Sequence, residues 1–495
     1  MYKVDAATAL DFYKTGHINQ YPEGTEVVYS NWTARSNKYA NTDLGGVVFY
    51  GLQAFIKAFL IDCWDETFFN RDKEEVLTEY QELMDSCLGP NVVTVEHLAE
   101  LHDYGRLPIL IKALPEGSIV PYGVPMITIK NTVDKFFWLT NYLESVMSTE
   151  LWRPTTSATT AYAYRKRFDE HAEITGSSKA FVPWQGHDFS FRGMGGIADA
   201  AVSGSGHLLS FTGTDTVPAI KFIKEYYNTD YREELVGSSV PATEHSVMSM
   251  GSFDGEFDTF KRLITETYPT GIVSIVADTW DFWKVLMDFL PRLKDEIMAR
   301  DGRVVIRPDS SPKTPVEIIC GDPRGRTAIE RKGAYRYLWD VFGGHVNDKG
   351  YKVLDPHIGL IYGDAITLER QDEILTLLES SDIMMTSENL VLGIGSYTYV
   401  YCTRDTHGFA MKATWGKVNG EGRPIFKDPV TDPGFKKSAI GLLRVIGGPD
   451  NMKFRLHDMV TEEEENTGLL RPVFEDGKLL IDDTLTAIRE RLGTF

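Results

Sequence analysis

The chain reads as an α/β protein: an irregular (β/α) barrel with a second α+β sheet domain built from the N- and C-terminal segments. Three observations carry that reading. Between residues 180 and 400, short apolar runs alternate with helical stretches, as parallel βα units do. Residues 1–150 and 400–495 instead mix helices with paired strands. A chain of 495 residues is also too long for one hydrophobic core. The sheet domain is accordingly placed at 1–150 and 400–495, and the barrel at 151–399.

In order along the chain, VVFYGLQAFIKAFLIDCW shows helical spacing from about Phe49. LPILIKALPEGSIVPYGVPMITIKN reads as two strands about the turn Pro115-Glu116-Gly117, with VPYG breaking the second. FFWLTNYLESVM is an apolar helix, stopped by Pro154 before the long helix SATTAYAYRKRFDEHAE. The barrel strands are HLLSFTGTD, GIVSIVADTWD, GRVVIRPDSS, HIGLIYGDA and ENLVLGIGS, each ending in small or polar residues. Helices such as TVPAIKFIKEYY and AIERKGAYRYLWDVF separate several of them. At the end, PVFEDGKLLI is a hairpin turning at Asp476-Gly477, and DDTLTAIRERL is a helix with Asp482 or Asp483 as N-cap.

Composition excludes several function classes. Hydrophobic content of 42% with 25% charged residues is ordinary for a globular protein. A net charge of −20 argues against general nucleic-acid binding, so any anionic substrate needs a local Arg and Lys cluster. The acidic run Glu462–Glu465 reads as a solvated loop. Apolar runs fall well short of the roughly twenty residues of a membrane span. MYKVDAATALDFYKTGH lacks the apolar stretch of a secretory signal. The four cysteines show no metal spacing, which fits a reduced, cytoplasmic, zinc-free protein.

GHDFSFRGMGG, residues 186–196, concentrates the most chemistry. Gly193, Gly195 and Ala198 satisfy G-x-G-x-x-A, with Asp215 about twenty residues on, as a dinucleotide fingerprint asks. That reading is rejected, because the preceding FVPWQGHDFSFR carries Pro, Gln, His, Asp and Arg, which a buried central strand would not hold. Two readings of the segment stay open. In one, Phe189 or Phe191 offers a flat face to a heteroaromatic ring and Arg192 an anion fork. In the other, the phenylalanines are core and the arginine is a surface ion pair.

Asp215, Asp278, Asp309 and Asp364 all fall just beyond strands. Acids there hold sugar hydroxyls or Mg²⁺ on phosphates, although a single one is as readily a helix cap. Arg307 adds a phosphate-capable cation, and Gly393–Ser396 (GIGS) a backbone cradle. His245, in SSVPATEHS, sits near a helix start and is either structural or functional. Arg404, Lys412 and Lys427 supply cations near the C-terminus. No G-x-S-x-G elbow, Walker A loop, HExxH or kinase set occurs.

Taken together, these segments resemble the nicotinamide phosphoribosyltransferase family, of the type II phosphoribosyltransferases. The matching stretches run in register: DFYKTGHINQYP, FYGLQ, HDFSFRG, FTGTDTV, SVPATEHS, IRPDS, IYGDAI, TRD and FKDPVTDP. The resemblance implies condensation of nicotinamide with 5-phosphoribosyl 1-pyrophosphate to nicotinamide mononucleotide and pyrophosphate, in NAD salvage. It implies Phe189 stacked on nicotinamide with Tyr13 of a second subunit, Arg192 on the amide oxygen, and Asp215 on the amide nitrogen. It implies Asp309, Asp364 and Gly363 at the ribose, with Gly395, Ser396 and Arg404 around the 5′-phosphate. Arg307, Arg35, Lys412, Lys427 and Ser239 would line the phosphate, pyrophosphate and ATP region. His245, oriented by Asp278, matches the histidine that family members phosphorylate with ATP.

Mg²⁺, bridged mainly by substrate phosphates, ATP as co-substrate or activator, and a cytoplasmic homodimer whose sites are shared through Asp11 and Tyr13 are expected on the same ground. Departures from the family pattern are Ser396 in place of a second glycine, Tyr362 in place of a glutamine, and a thinner basic segment at 435–440. Nicotinate phosphoribosyltransferase is the nearest rival, opposed by Asp215, which would meet a nicotinate carboxylate. A non-catalytic scaffold would need neither the strand-end acids nor the stacking aromatics. A sugar-phosphate lyase or isomerase would want a strand-end lysine or a second metal cluster.

Overall fold

Four of the apolar runs, together with Gly186–Asp188 and Gly213–Thr214, form a six-stranded parallel sheet in the computed structural model, which describes residues 4–309, 314–426, 439–447 and 454–495; in HLLSFTGTD the apolar residues close a helix and turn, and only Gly213–Thr214 is strand. The strands of the sheet are β1 (Gly186–Asp188), β2 (Gly213–Thr214), β3 (Gly271–Val276), β4 (Gly302–Arg307), β5 (Ile358–Tyr362) and β6 (Leu390–Ile394), in the order β2-β1-β6-β5-β4-β3. Every pairing is parallel. Sheets of this kind are covered on both faces. Val304, Ile306, Leu360, Leu392 and Ile394 are accordingly fully buried, in one core with Phe211, Leu286, Leu338 and Ile374. The architecture is a parallel half-barrel, and chemistry collects at the carboxyl ends of such strands.

β1 is where the sequence reading fails. Its His and Asp argue against a buried strand, yet Gly186–Asp188 is buried and pairs with both β6 and β2. Its polar groups are answered by residues distant in sequence. His187 meets Asp215, while Asp188 accepts from the Ser190 N–H at 2.9 Å and the Thr214 hydroxyl at 3.4 Å. Burial is tolerated because each group is paired.

Residues divide between two compact units, the sheet unit comprising Met1–Thr159, Phe222–Thr229 and Cys402–Gly493, and the barrel unit Thr160–Lys221, Asp230–Tyr401 and Thr494–Phe495. In the sheet unit, N- and C-terminal segments share one seven-stranded sheet, as expected. Thr25–Thr33 pairs antiparallel with Ala410–Val418, and Ile109–Ala113 with Arg471–Glu475. Trp32 stacks on Phe409 at 4.8 Å beneath it. The hairpin at Asp476-Gly477 forms, both residues at positive φ as a tight two-residue turn requires.

Several local expectations need correction. Ile109–Ala113 pairs with Pro125–Asn131, whereas Ile119–Pro121 leaves for a separate two-stranded sheet with Gly46–Val48. The helix expected from Phe49 starts at Leu52. Pro154 does not stop its helix, which runs unbroken over Glu144–Thr175. An internal proline costs about 3 kcal/mol. Here side-chain bonds tie the adjoining turns down: the Thr155 hydroxyl donates to the Tyr50 carbonyl at 2.9 Å, and the Val48 N–H to Thr159 at 2.9 Å. The last helix is capped by Thr484, which accepts from the Ala487 N–H; Asp482 instead bonds Lys57 and Gln53. Among the described residues no helix is long and apolar enough to cross a membrane.

Glu462–Glu465 is a short helix rather than a solvated loop, closed by a capping box from Thr461. Glu465 turns inward at 4% exposure to meet the Nζ of Lys112, itself 5% exposed, at 2.6 Å. Removing one partner of a buried pair strands the other charge. Glu465→Ala is expected to cost about 3 kcal/mol, measured as the urea unfolding free energy. A loss under about 1 kcal/mol would mean that Lys112 is not held as an ion pair.

Candidate active site at the carboxyl ends of the strands

The six strand ends deliver one set of residues. β1 runs into Phe189, β2 into Asp215, β3 toward Asp278, β4 into Arg307 and Asp309, β5 into Gly363 and Asp364, and β6 into Gly395 and Ser396. A cavity of about 370 Å³ opens there, lined by Phe189, Arg192, Gly193, Asp215, Arg307, Asp309, Gly363, Asp364, Gly395 and Ser396. A more apolar space of about 300 Å³, bounded also by Trp184, His187, Ile361 and Val391, shares Phe189, Asp215 and Arg307 with it.

Phe189 extends the β1–β6 pairing by donating its N–H to the Ile394 carbonyl at 3.0 Å. Its ring lies against bare backbone: a Cβ on Gly393 would fall 2.4 Å from the ring, and one on Gly363 3.1 Å from it. Phe191, the other aromatic candidate, is exposed and lies outside the cavity lining. Arg192 is exposed at the cavity wall in the turn Phe191–Gly193. The glycines that mimicked a dinucleotide loop serve packing instead, since a Cβ on Gly193 would sit 2.0 Å from the Ser396 hydroxyl oxygen.

Asp215 accepts at Oδ1 from His187 Nε2 at 3.0 Å and from the Ser239 hydroxyl at 2.6 Å. Burial works to raise its carboxyl pKa, but His187, Ser239 and Arg307 together hold it below the ordinary value. Asp309 goes the other way. Burial pushes its pKa up, the neighbouring Asp278 adds to the rise, and Arg307 opposes it. Arg307 donates through Nε to Asp309 at 3.0 Å and through Nη2 to the Thr243 carbonyl at 2.8 Å. Asp278 accepts from the Asp309 N–H at 3.0 Å. His245, half exposed at the start of the helix His245–Met250, has Nε2 3.8 Å from Asp278 and Nδ1 3.3 Å from the Thr279 hydroxyl.

Five further sequence candidates belong to the sheet unit. Tyr13 is 61% exposed, edge-on to His17, and Asp11 accepts from the Ser145 hydroxyl. Arg35 donates to the Gly408 carbonyl at 2.8 Å, Lys412 is exposed on Ala410–Val418, and Arg404 is exposed near Asp405. Lys427 lies outside the described residues. A cavity of about 250 Å³ in this unit is walled by Leu52, Ile56, Val473 and Ile481. Its polar groups answer one another, Gln53 with Asp483 and Glu116, and Arg491 with Asp483. That arrangement is packing rather than reception of a ligand.

The profile described as the nicotinate phosphoribosyltransferase (NAPRTase) family matches residues 184–478, and that of the nicotinamide phosphoribosyltransferase N-terminal domain matches residues 5–111. A curated relative from Acinetobacter baylyi, a nicotinamide phosphoribosyltransferase, is 54% identical over 99% of this chain and 98% of its own length. The chain belongs to the nicotinamide phosphoribosyltransferase family. A relative of the same name from Mycoplasma pneumoniae is 32% identical over 88% of this chain and 94% of its own. Among solved structures, nicotinate-nucleotide pyrophosphorylase from Pyrococcus furiosus superimposes with a TM-score of 0.55 at 15% identity, covering 99% of this chain and 95% of its own. Human nicotinic acid phosphoribosyltransferase gives 0.51, also at 15% identity, covering 98% and 92%. At such identity these two share the fold.

Within this family frame, sequence reasoning had named every residue of the larger cavity except Gly193. It left His187 and Asp188 without a role. The only sequence signal for them was their place directly before Phe189, and their partners became visible only with β2 in place.

Among the described residues no three His, Cys, Asp or Glu side chains converge as a metal site. Asp278, whose carboxylate accepts from the Asp309 main-chain N–H, and Asp309 itself carry oxygen donors of the kind Mg²⁺ takes when phosphates supply its other ligands.

Proposed function

We infer that the protein transfers the phosphoribosyl group of 5-phosphoribosyl 1-pyrophosphate to nicotinamide, releasing pyrophosphate. The observation that carries the choice of base is Asp215, an ionised acceptor held beside the Phe189 ring. It suits an amide N–H₂ and repels a carboxylate. In the reaction the bond from ribosyl C1 to the pyrophosphate oxygen breaks, and that oxygen leaves with the electron pair. The nicotinamide ring nitrogen donates its lone pair to C1. That nitrogen carries no proton, so no general base is required, and the ring becomes cationic over an aromatic face. Asp309 and Asp364 would hold the ribose hydroxyls, and Gly395 and Ser396 the 5′-phosphate.

Mg²⁺, when bound with the substrate, would offset pyrophosphate charge, and Asp278 and Asp309 would offer it carboxylate oxygens. His245, with Asp278 orienting it, would accept phosphate from ATP. Tyr13 and Asp11 of a second subunit would complete the base site, with Arg35, Arg404, Lys412 and Lys427 as further cations. The protein would act in the cytoplasm.

The decisive assay is nicotinamide-dependent pyrophosphate release with Mg²⁺, with and without ATP. Absence of release refutes the reading. Release driven better by nicotinate would favour the second reading, nicotinate phosphoribosyltransferase, to which the profile over 184–478 also points. His245→Ala is expected to abolish ATP stimulation while ATP-independent turnover persists in part; stimulation that survives would remove His245 from the ATP step.

A further inference from the structure

His187 had no role in the sequence, and the proposed chemistry leaves it idle. It is 9% exposed on β1, one residue before Asp188 and two before the stacking ring. Its ring centroid is 4.7 Å from that of Phe189, and its Nε2 is 3.0 Å from Asp215 Oδ1. Thus one imidazole touches both parts of the proposed base site. A carboxylate can only accept, so Nε2 carries the hydrogen and the tautomer is set by Asp215. The Ser239 hydroxyl donates to the same oxygen at 2.6 Å. With Oδ1 engaged twice, Oδ2 is the oxygen left to face a ligand, and among the described residues it receives no hydrogen bond.

We propose that His187 is a specificity-determining residue: its Nε2–H, together with Ser239, locks Asp215 as an ionised acceptor with one outward oxygen, which selects an amide over a carboxylate on the incoming pyridine ring. The proposal rests on the nicotinamide reading above and deepens it. Two effects act together. Orientation comes first, because a carboxylate pinned through Oδ1 cannot rotate to offer both oxygens or to relax away from an anionic ligand. Proton affinity comes second. A carboxylate that loses a donor in a half-buried site binds a proton more readily. Once protonated, Asp215 could donate to a nicotinate carboxylate and stop discriminating against it. The lowered pKa of Asp215, to which the His187 hydrogen bond contributes, agrees with the geometry.

The test separates ring from donor. His187→Phe keeps an aromatic ring beside Phe189 and removes the N–H; His187→Gln removes the ring and keeps an N–H near the position of Nε2. The ratio of kcat/KM for nicotinamide to that for nicotinate is measured for both variants and the unaltered protein, with the KM for phosphoribosyl pyrophosphate as control. In His187→Phe the ratio is expected to fall by about tenfold to a hundredfold, the scale of one hydrogen bond to a charged group. In His187→Gln it should return to within about threefold of the unaltered value, a fraction of such a bond. Ser239→Ala, which removes the second donor without touching the ring packing, should lower the ratio in the same direction and covers the case in which His187→Phe does not fold. Equal losses on both bases, or an unchanged ratio in both donor-less variants, would overturn the proposal. If the unaltered protein used no nicotinamide at all, the functional reading would fail first. A preference for nicotinamide that survives loss of the donors would sink this inference alone.

Discussion

Arg307→Ala is expected to lower kcat/KM for phosphoribosyl pyrophosphate by about a thousandfold. The side chain is mostly buried and bonds Asp309 and the Thr243 carbonyl. A hydrogen bond to a charged group contributes about 1.5–3 kcal/mol. Losing that bond and the cation proposed to face the phosphates together reaches about 4 kcal/mol, or three decades in rate. Asp309 would lose its opposing charge while burial and Asp278 still drive its pKa upward, so a proton would compete for the carboxylate. The main-chain carbonyl of residue 307 would still accept from the Ala277 N–H, and the Asp309 N–H would still reach Asp278. The fold should therefore survive, as near-UV circular dichroism would report. Arg307→Lys restores charge without the planar fork, and is expected to recover no more than about tenfold. An alanine variant within tenfold of the unaltered rate would remove Arg307 from the substrate site.

Gly393→Val should damage the base site through shape alone. The new Cβ would lie 2.4 Å from the Phe189 ring and 2.7 Å from the Gly363 Cα. Neither neighbour can retreat easily: Gly363 presents backbone, and Phe189 is tied by its N–H to Ile394 and flanked by His187. Overpacking of this kind costs about 1–3 kcal/mol and displaces the ring. The nicotinamide KM is expected to rise by about a hundredfold, since a 1 Å misplacement can cost that much. The melting temperature should drop by roughly 5 °C. Gly395→Ala is the contrast, because its Cβ would meet nothing within 4 Å, and its melting temperature should not move. A Gly393→Val protein that binds nicotinamide normally would show that Phe189 does not form the base platform.

How much of this was readable beforehand varies by element. The alternation from HLLSFTGTD to ENLVLGIGS marks βα units because buried parallel strands need continuous Val, Ile and Leu. The acids, Arg307 and the GIGS segment following them were named from position, and Gly363 only through the family resemblance. β1 was missed for the converse reason: Gly-His-Asp has no apolar signature, and its burial depends on Asp215, Ser190 and Thr214. Rejecting the dinucleotide loop left Gly193 without a purpose, because a glycine records the absence of a side chain, and what needs that space, Ser396, is about two hundred residues away. Pro154 and the Glu462–Glu465 run follow the same logic. Local propensity said stop and solvate, while Tyr50, Val48 and Lys112 supplied contacts that reversed both.

By itself the sequence determined the fold class, the joining of both termini in one sheet, and the acids and arginine gathered at the strand ends. Periodicity and residue type are local properties, and the chain carries them openly. Tertiary structure alone decided which of GHDFSFRGMGG does what. The glycines make room, Asp188 braces the turn, Phe189 rests on bare backbone, and His187 holds Asp215. A hydrogen bond between residues 187 and 215 leaves no mark on either until β1 and β2 lie side by side.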